Sequence, residues 1–120
     1  MSTTGKLFRF RKSDHDLFDT VVNGKKTVET RACEPKYAKI KIGDNITLAC
    51  GKDRFTARVM KITRFKSLNS LLRTYRFDMI NPLVKSRSKL LKMYGGFPNY
   101  DKLIKKYGLV TFEFKNRPRR

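Results

Sequence analysis

Two neighbouring segments with alternating apolar residues constrain the fold most strongly: NITLAC (residues 45–50) and RFTARVMKITRF (residues 54–65). They are separated by the short connection Gly51–Asp53. Side chains of a strand point alternately to its two faces, and a short glycine-containing loop joins antiparallel strands. The pair therefore predicts a β-hairpin. Its apolar positions alternate as far as Val59 and then shift by one residue, which predicts a β-bulge near Met60.

Three further segments show the alternation typical of strands, and they lie towards both ends of the chain. Segments rich in apolar and capping residues separate them, without the regular strand–helix–strand repeat of a doubly wound sheet. We therefore predict an α+β fold: a small mixed β-barrel of about five strands with three to four helices inserted. The three further strand segments are KLFRFR (6–11), KTVETRA (26–32) and YGLVTFEFK (107–115).

Capping signals place the predicted helices. The first helix has Ser13 as its N-cap and ends at Gly24, where a left-handed conformation costs glycine little. The second begins after Ser67, which precedes a leucine-rich segment. The third has Pro82 in its first turn, and a short fourth helix covers residues 100–106.

The length of 120 residues fits a single domain, which we place at residues 1–115, followed by a flexible basic tail at 116–120. Cys33, Cys50 and the single histidine, His15, cannot fill a four-ligand zinc site, so the sequence indicates no metal and no cofactor. Unpaired cysteines and the absence of a secretory signal favour an intracellular, soluble protein, in the cytoplasm or the nucleus. We expect it to be a monomer.

Net charge is the compositional feature most informative about function. The chain carries 29 Lys and Arg against 10 Asp and Glu, a formal net charge of +19. In a compact state so many positive charges repel one another, and a polyanionic partner offsets this repulsion. We expect nucleic acid as the partner, RNA in preference to DNA, and no membrane, since no strongly amphipathic basic helix is evident. An acidic protein partner is the remaining alternative.

The segment GKKTVETR, residues 24–31, concentrates the candidate site residues. Gly24 ends a helix, and Glu29 and Arg31 lie two apart on a strand, so their side chains share a face and can pair. An arginine held by a carboxylate presents its other donors in a fixed orientation, which suits a phosphate or a base edge. The carboxylate can also accept from an exocyclic amine. The alternative is an ion pair that only stabilises the strand.

GKKTVETR also fits the G-x-K-x-x-E-x-R pattern of the activating signal cointegrator homology (ASCH) domain. KIKIGDNITL after it resembles the turn and strand of that family, and YGLVTFEF resembles its closing strand. The resemblance covers about residues 6–115. It implies a fold similar to the pseudouridine synthase and archaeosine transglycosylase (PUA-like) barrels, an association with RNA, and a nucleotide-sized cationic cleft. The ligand-binding residues it implies are Gly24, Lys26, Thr27, Glu29 and Arg31.

Some members of the family resemble enzymes, and the sequence leaves open whether this chain is one. The amidohydrolases acting on acetylated cytidine are similar in having a threonine three residues after the lysine. Here Glu29 stands at that position, with Thr27 and Thr30 on either side of it, which disfavours that chemistry. If the protein is an enzyme, Lys26 and Glu29 are its candidate catalytic residues.

A metal-independent ribonuclease is the other enzymatic alternative. It needs a base, an acid and a charge stabiliser near one phosphate. Lys26, Glu29, Arg31 and a tyrosine such as Tyr37 or Tyr107 supply the residue types, but the sequence does not show that they converge.

The predicted nucleic-acid surface consists of basic residues outside the motif. Arg54 and Arg58 form a stripe on one face of the long strand, and four more cations lie on the solvent side of the third predicted helix. The full set is Lys25, Arg54, Arg58, Lys61, Arg64, Lys66, Lys85, Arg87, Lys89 and Lys92.

Overall fold

A five-stranded mixed sheet forms the framework of the protein. The computed structural model describes residues 6–115, so the tail predicted at 116–120 lies outside the described part. The sheet curls into a half-barrel, with strand order β1-β3-β4-β5-β2. The strands are β1 (Leu7–Phe10), β2 (Val28–Ala32), β3 (Asn45–Cys50), β4 (Asp53–Phe65) and β5 (Leu109–Lys115).

Strand pairing confirms the predicted hairpin and bulge. β3 and β4 are antiparallel with Asn45 opposite Arg58, and β1 joins β3 in parallel. β4 pairs with β5, and the register shifts between Val59 and Lys61, where the apolar positions of the sequence change face. The 13-residue β4 pairs with β3 along its first half and with β5 along its second half. The α+β class and the five strands are confirmed.

Six α-helices and one 3₁₀ turn at Lys12–Asp14 lie between the strands, more than the three to four helices predicted. Two of the additional helices have only four residues, too few for the apolar periodicity of a helix to be visible. The helices are α1 (His15–Val22), α2 (Pro35–Ala38), α3 (Leu68–Thr74), α4 (Phe77–Ile80), α5 (Arg87–Gly95) and α6 (Tyr100–Tyr107).

Of the four predicted helix starts two are wrong and two are right, since α6 begins at Tyr100 as predicted. Ser13 lies inside the 3₁₀ turn, and α1 begins after Asp14, with no side-chain capping bond. Pro82 lies in a turn before α5. Ser86 caps that helix instead, by accepting a hydrogen bond from Lys89 N–H at 3.2 Å. Ser67 caps α3 as predicted, in a reciprocal capping box with Ser70.

The sheet separates two apolar clusters. The first lies inside the curl of the sheet and includes the fully buried Phe8, Leu48 and Phe112. The second lies between the outer face of the sheet and helices α3 to α6, and includes Leu71, Ile80, Leu90 and Leu109. Cys33 and Cys50 are free thiols, both buried. Within residues 6–115 no helix is long and apolar enough to cross a membrane.

Candidate functional site

Lys26 is the most unusual residue of the motif because its ammonium group is buried. Its side chain is 3% exposed, and Nζ donates to Val28 O at 2.7 Å and to Ile80 O. The two carbonyls belong to β2 and to the end of α4, so the lysine holds the helix against the strand. Burial lowers the pKa of Lys26, and the negative charge of Glu29 opposes that effect only in part.

Glu29 lies between two cations. Its Oε2 accepts from Arg31 Nε at 2.8 Å, and its Oε1 lies 3.8 Å from Lys26 Nζ. The residue is 6% exposed. Among the described residues Oε1 has no hydrogen-bond partner, so half of the carboxylate keeps its accepting capacity free. A buried acceptor without a partner costs free energy that a ligand donor can recover.

Arg31 joins the two edge strands of the half-barrel. Its Nη2 donates to Arg9 O of β1 at 3.2 Å, and its Nη1 donates to Tyr37 OH at 3.4 Å. The guanidinium carbon lies 5.0 Å from the centroid of the Phe8 ring. Burial tends to lower the pKa of Arg31, but the charge of Glu29, together with Tyr37 and the hydrogen bonds to both residues, outweighs burial, and the pKa is raised overall. The guanidinium is therefore fixed in orientation as well as in charge.

A cavity of about 300 Å³ opens beside this triad. Lys26, Glu29 and Arg31 lie on one side of it, and the segment from Met93 to Tyr100 lies on the other. Its volume is at the lower end of the range for small-molecule sites. The remaining lining comes from β1 and the 3₁₀ turn after it, from α1, from β2 and from the end of α4: Arg9, Phe10, Arg11, Asp14, Leu17, Thr30, Ile80 and Asn81.

Three aromatic rings form the wall opposite the triad. Tyr94 and Tyr100 are stacked, with centroids 5.4 Å apart and planes at 19°. Phe97 meets both rings edge to face. Arg11 lies over the Phe97 ring at 5.0 Å and is held by Asp14, so it stands at the rim. Burial raises the pKa of both tyrosines, so their hydroxyls stay protonated at neutral pH.

Three of the five predicted ligand-binding residues line the cavity, namely Lys26, Glu29 and Arg31. Gly24 and Thr27 do not. Gly24 has φ +88° after α1 and serves as the predicted helix stop. Thr27 accepts a backbone bond from Phe114 N–H at 3.0 Å, so its role is in the sheet. Among the described residues no group of three metal-ligating side chains comes together.

The ten basic residues predicted as a nucleic-acid surface are all exposed, but none of them lines the cavity. They also do not form one face. Arg64 lies opposite Val110 in the ladder, on the inner side of the sheet. Arg54 and Arg58 lie on the outer side. Arg54 and Arg58 thus share one side of β4 before the bulge, Arg64 lies on the other side beyond it, and six of the ten cations lie outside β4.

Sequence reasoning missed the aromatic wall and the rim arginines. Tyr94, Phe97 and Tyr100 recur every three residues in a segment without charged residues, positions 93–100. Gly95, Gly96, Pro98 and Asn99 interrupt it, and Asn99 adopts φ +60°. Regularly spaced aromatics within a glycine- and proline-rich turn are the signal that could have identified this wall. No comparable pattern marks Arg9 and Arg11 as cavity residues, because the alternation of a β-strand alone accounts for their positions.

No protein-family model and no curated protein sequence matches the chain. Solved structures do. The crystal structure of the hypothetical protein PH0355 is 28% identical, with 91% of this chain and 97% of that chain covered and a TM-score of 0.75. The solution structure of protein PF0455 from Pyrococcus furiosus is also 28% identical, covering 91% and 96%, with a TM-score of 0.69. These likenesses confirm the fold.

Proposed function

We propose that this protein binds RNA and that its cavity holds a single nucleotide. The observation that carries the proposal is the cavity itself, with a fixed charged triad on one side and three aromatic rings on the other. Stacking on aromatic rings is the usual way in which proteins hold unpaired bases. The ASCH resemblance of the GKKTVETR segment agrees with this assignment, and we infer membership of that family from it.

The charge distribution supports a polyanionic ligand that extends beyond the cavity. Arg9 and Arg11 stand at its rim, where the phosphates on either side of a bound base would pass. Further cations on α5, Lys89 and Lys92, are exposed on the helix that carries Tyr94. Lys26 and Arg31 are already engaged with carbonyl oxygens and Glu29, so they shape the cavity, and phosphate contacts fall to the exposed cations.

The salt dependence of RNA affinity tests this proposal. If about six phosphates are neutralised, log K should fall against log salt with a slope near −4 to −5. Fluorescence anisotropy of a labelled single-stranded RNA, titrated from about 50 to 300 mM KCl, measures the slope. No binding at the lowest salt, or an affinity that salt leaves unchanged, contradicts the proposal.

A second candidate, a nucleic-acid-processing enzyme, is favoured by one observation, the lowered pKa of Lys26 inside the cavity. A lysine whose pKa is lowered is deprotonated more readily and can then act as a base or a nucleophile. For this candidate, Lys26→Ala or Glu29→Ala should abolish turnover of RNA or acylated nucleosides and leave bulk RNA affinity mostly intact. Product levels at background with the wild-type protein would exclude it.

A further inference from the structure

The backbone of β2 turns additional hydrogen-bonding groups towards the cavity. In an antiparallel ladder, alternate residues direct N–H and C=O at the partner strand, and the residues between them direct theirs away. Bonds from Phe114 N–H to Thr27 O and from Cys33 N–H to Gly108 O place the odd-numbered residues of β2 in the bonded set. Thr30 therefore turns its N–H and C=O away from β5. Thr30 lines the cavity, and no described residue of β5 does.

The hydrogen-bonding pattern at this edge combines a charged acceptor with a neutral donor. Glu29 Oε1 accepts only and lacks a partner among the described residues, while the N–H of Thr30 donates. The Thr30 hydroxyl is buried beside Tyr94 and interacts with it, so it adds nothing to this pattern. The complement of this pattern is an amino group next to a ring nitrogen that accepts.

The same pattern disfavours a phosphate beside Glu29. A phosphate oxygen there would face the free lone pairs and the negative charge of Oε1, which repel it. The wall of Tyr94, Phe97 and Tyr100 instead offers apolar, planar surface. A flat heterocycle that places its amino group against Glu29 satisfies both sides of the cavity.

We propose, building on the RNA-binding function above, that the cavity selects a base with an exocyclic amino group beside a ring nitrogen. Cytosine and adenine have this edge. Uracil and hypoxanthine, their deaminated counterparts, replace the amino group by a carbonyl oxygen, whose lone pairs point at the carboxylate. In nucleic-acid grooves a glutamate likewise accepts a hydrogen bond from the amino group of cytosine.

Matched RNA octamers test the selection with the unmodified protein. One pair is an all-uridine octamer and the same octamer with one central cytidine; the other carries a central adenosine or a central inosine. In anisotropy titrations we expect the amino-bearing member of each pair to bind about tenfold more tightly, or better. Equal affinities in both pairs, or tighter binding of the deaminated member, overturn the selection.

The outcome separates this inference from the proposed function. Salt-dependent binding of all four octamers without a base preference refutes the selection and leaves RNA binding intact. If no octamer binds at low salt, the RNA-binding proposal fails and the selection fails with it.

Glu29→Gln sharpens the test because the amide can keep its oxygen on Arg31 Nε. Its NH₂ group then replaces the free acceptor Oε1, so we expect the preference for cytidine over uridine to be lost or reversed. Glu113→Gln is the matched control, since Glu113 lies on β5 outside the cavity and accepts from Tyr75 OH. A Glu29→Gln protein that keeps the full preference contradicts the role of Glu29. If that variant does not fold, the octamer comparison with the wild type decides alone.

Discussion

At the scale of single residues, Lys26 defines how the site is built. A buried ammonium group is expensive unless its donors are satisfied, and here two carbonyl oxygens and the nearby carboxylate of Glu29 satisfy it. The motif therefore works as a connected unit: Lys26 ties α4 to β2, Glu29 neutralises it, and Arg31 ties β2 to β1. The free oxygen of Glu29 is what this unit leaves available to a ligand.

Replacing Lys26 by methionine should destabilise the fold strongly. The variant keeps the side-chain length but leaves Val28 O, Ile80 O and Glu29 without their cationic partner. We expect a loss of about 3 kcal/mol in the free energy of unfolding, measured by urea denaturation. Lys25→Met, an exposed neighbour, is the control and should change it by less than about 0.5 kcal/mol. Equal effects of the two substitutions would show that Lys26 is not a structural cation.

The lowered pKa of Lys26 makes this contribution depend on pH. The unfolded chain keeps the lysine proton up to its ordinary pKa of 10.5, whereas the folded protein releases it at lower pH. In that interval the unfolded state binds more protons, so stability rises with pH. The difference in unfolding free energy between wild type and Lys26→Met should therefore grow with pH as it approaches 10.5. Parallel stability curves for the two proteins would contradict the shift.

At the scale of elements, capping contacts decide where helices begin. Ser67→Ala removes the capping box of α3 and should cost about 1 kcal/mol in unfolding free energy. Ser13→Ala is the matched control, because Ser13 precedes α1 in sequence but makes no side-chain capping bond in the structure. Thermal unfolding of both variants measures the contrast. A loss at Ser13 equal to that at Ser67 would mean that Ser13 caps α1 after all.

The contrast between Ser13, Ser86 and Ser67 also shows what the sequence predicts and what it does not. The strands, the hairpin and the bulge follow from local alternation, which is visible residue by residue. Serine at a helix start is a common signal, and the chain has several candidates for each helix, so packing selects among them. Pro82 was a plausible first-turn residue for α5, yet Ser86 is the cap that the structure uses.

One half of the site, the charged triad, could be predicted from the sequence. Lys26, Glu29 and Arg31 lie within six residues, so their proximity follows from the strand. The aromatic wall lies more than sixty residues further along the chain, and it meets the triad through the packing of α4 against β2 and of α5 against α6. The spacing of the aromatics could have marked them as a group, but it does not show that they contact the triad. This is why the cavity could be expected but its lining by Tyr94 and Tyr100 could not.

At the scale of the whole molecule, one small cavity lies within a surface that is basic on many sides. Exposed cations lie on both faces of β4 and on α5, so electrostatic attraction alone would hold RNA without a fixed register. We propose that the cavity beside β2 supplies the register by holding one stacked base. Affinity and selectivity are thus assigned to different parts of the protein, general attraction to the surface and base choice to the cavity.

Mapping RNA contacts by backbone amide chemical shifts tests this account most directly. Adding a short single-stranded RNA that contains cytidine to the ¹⁵N-labelled protein should shift the amides of Glu29, Thr30 and Arg31 and those of residues 93–97, 99 and 100. Shifts confined to the outer face of β4, or spread over the basic surface with the cavity residues unmoved, would contradict a nucleotide site beside Glu29.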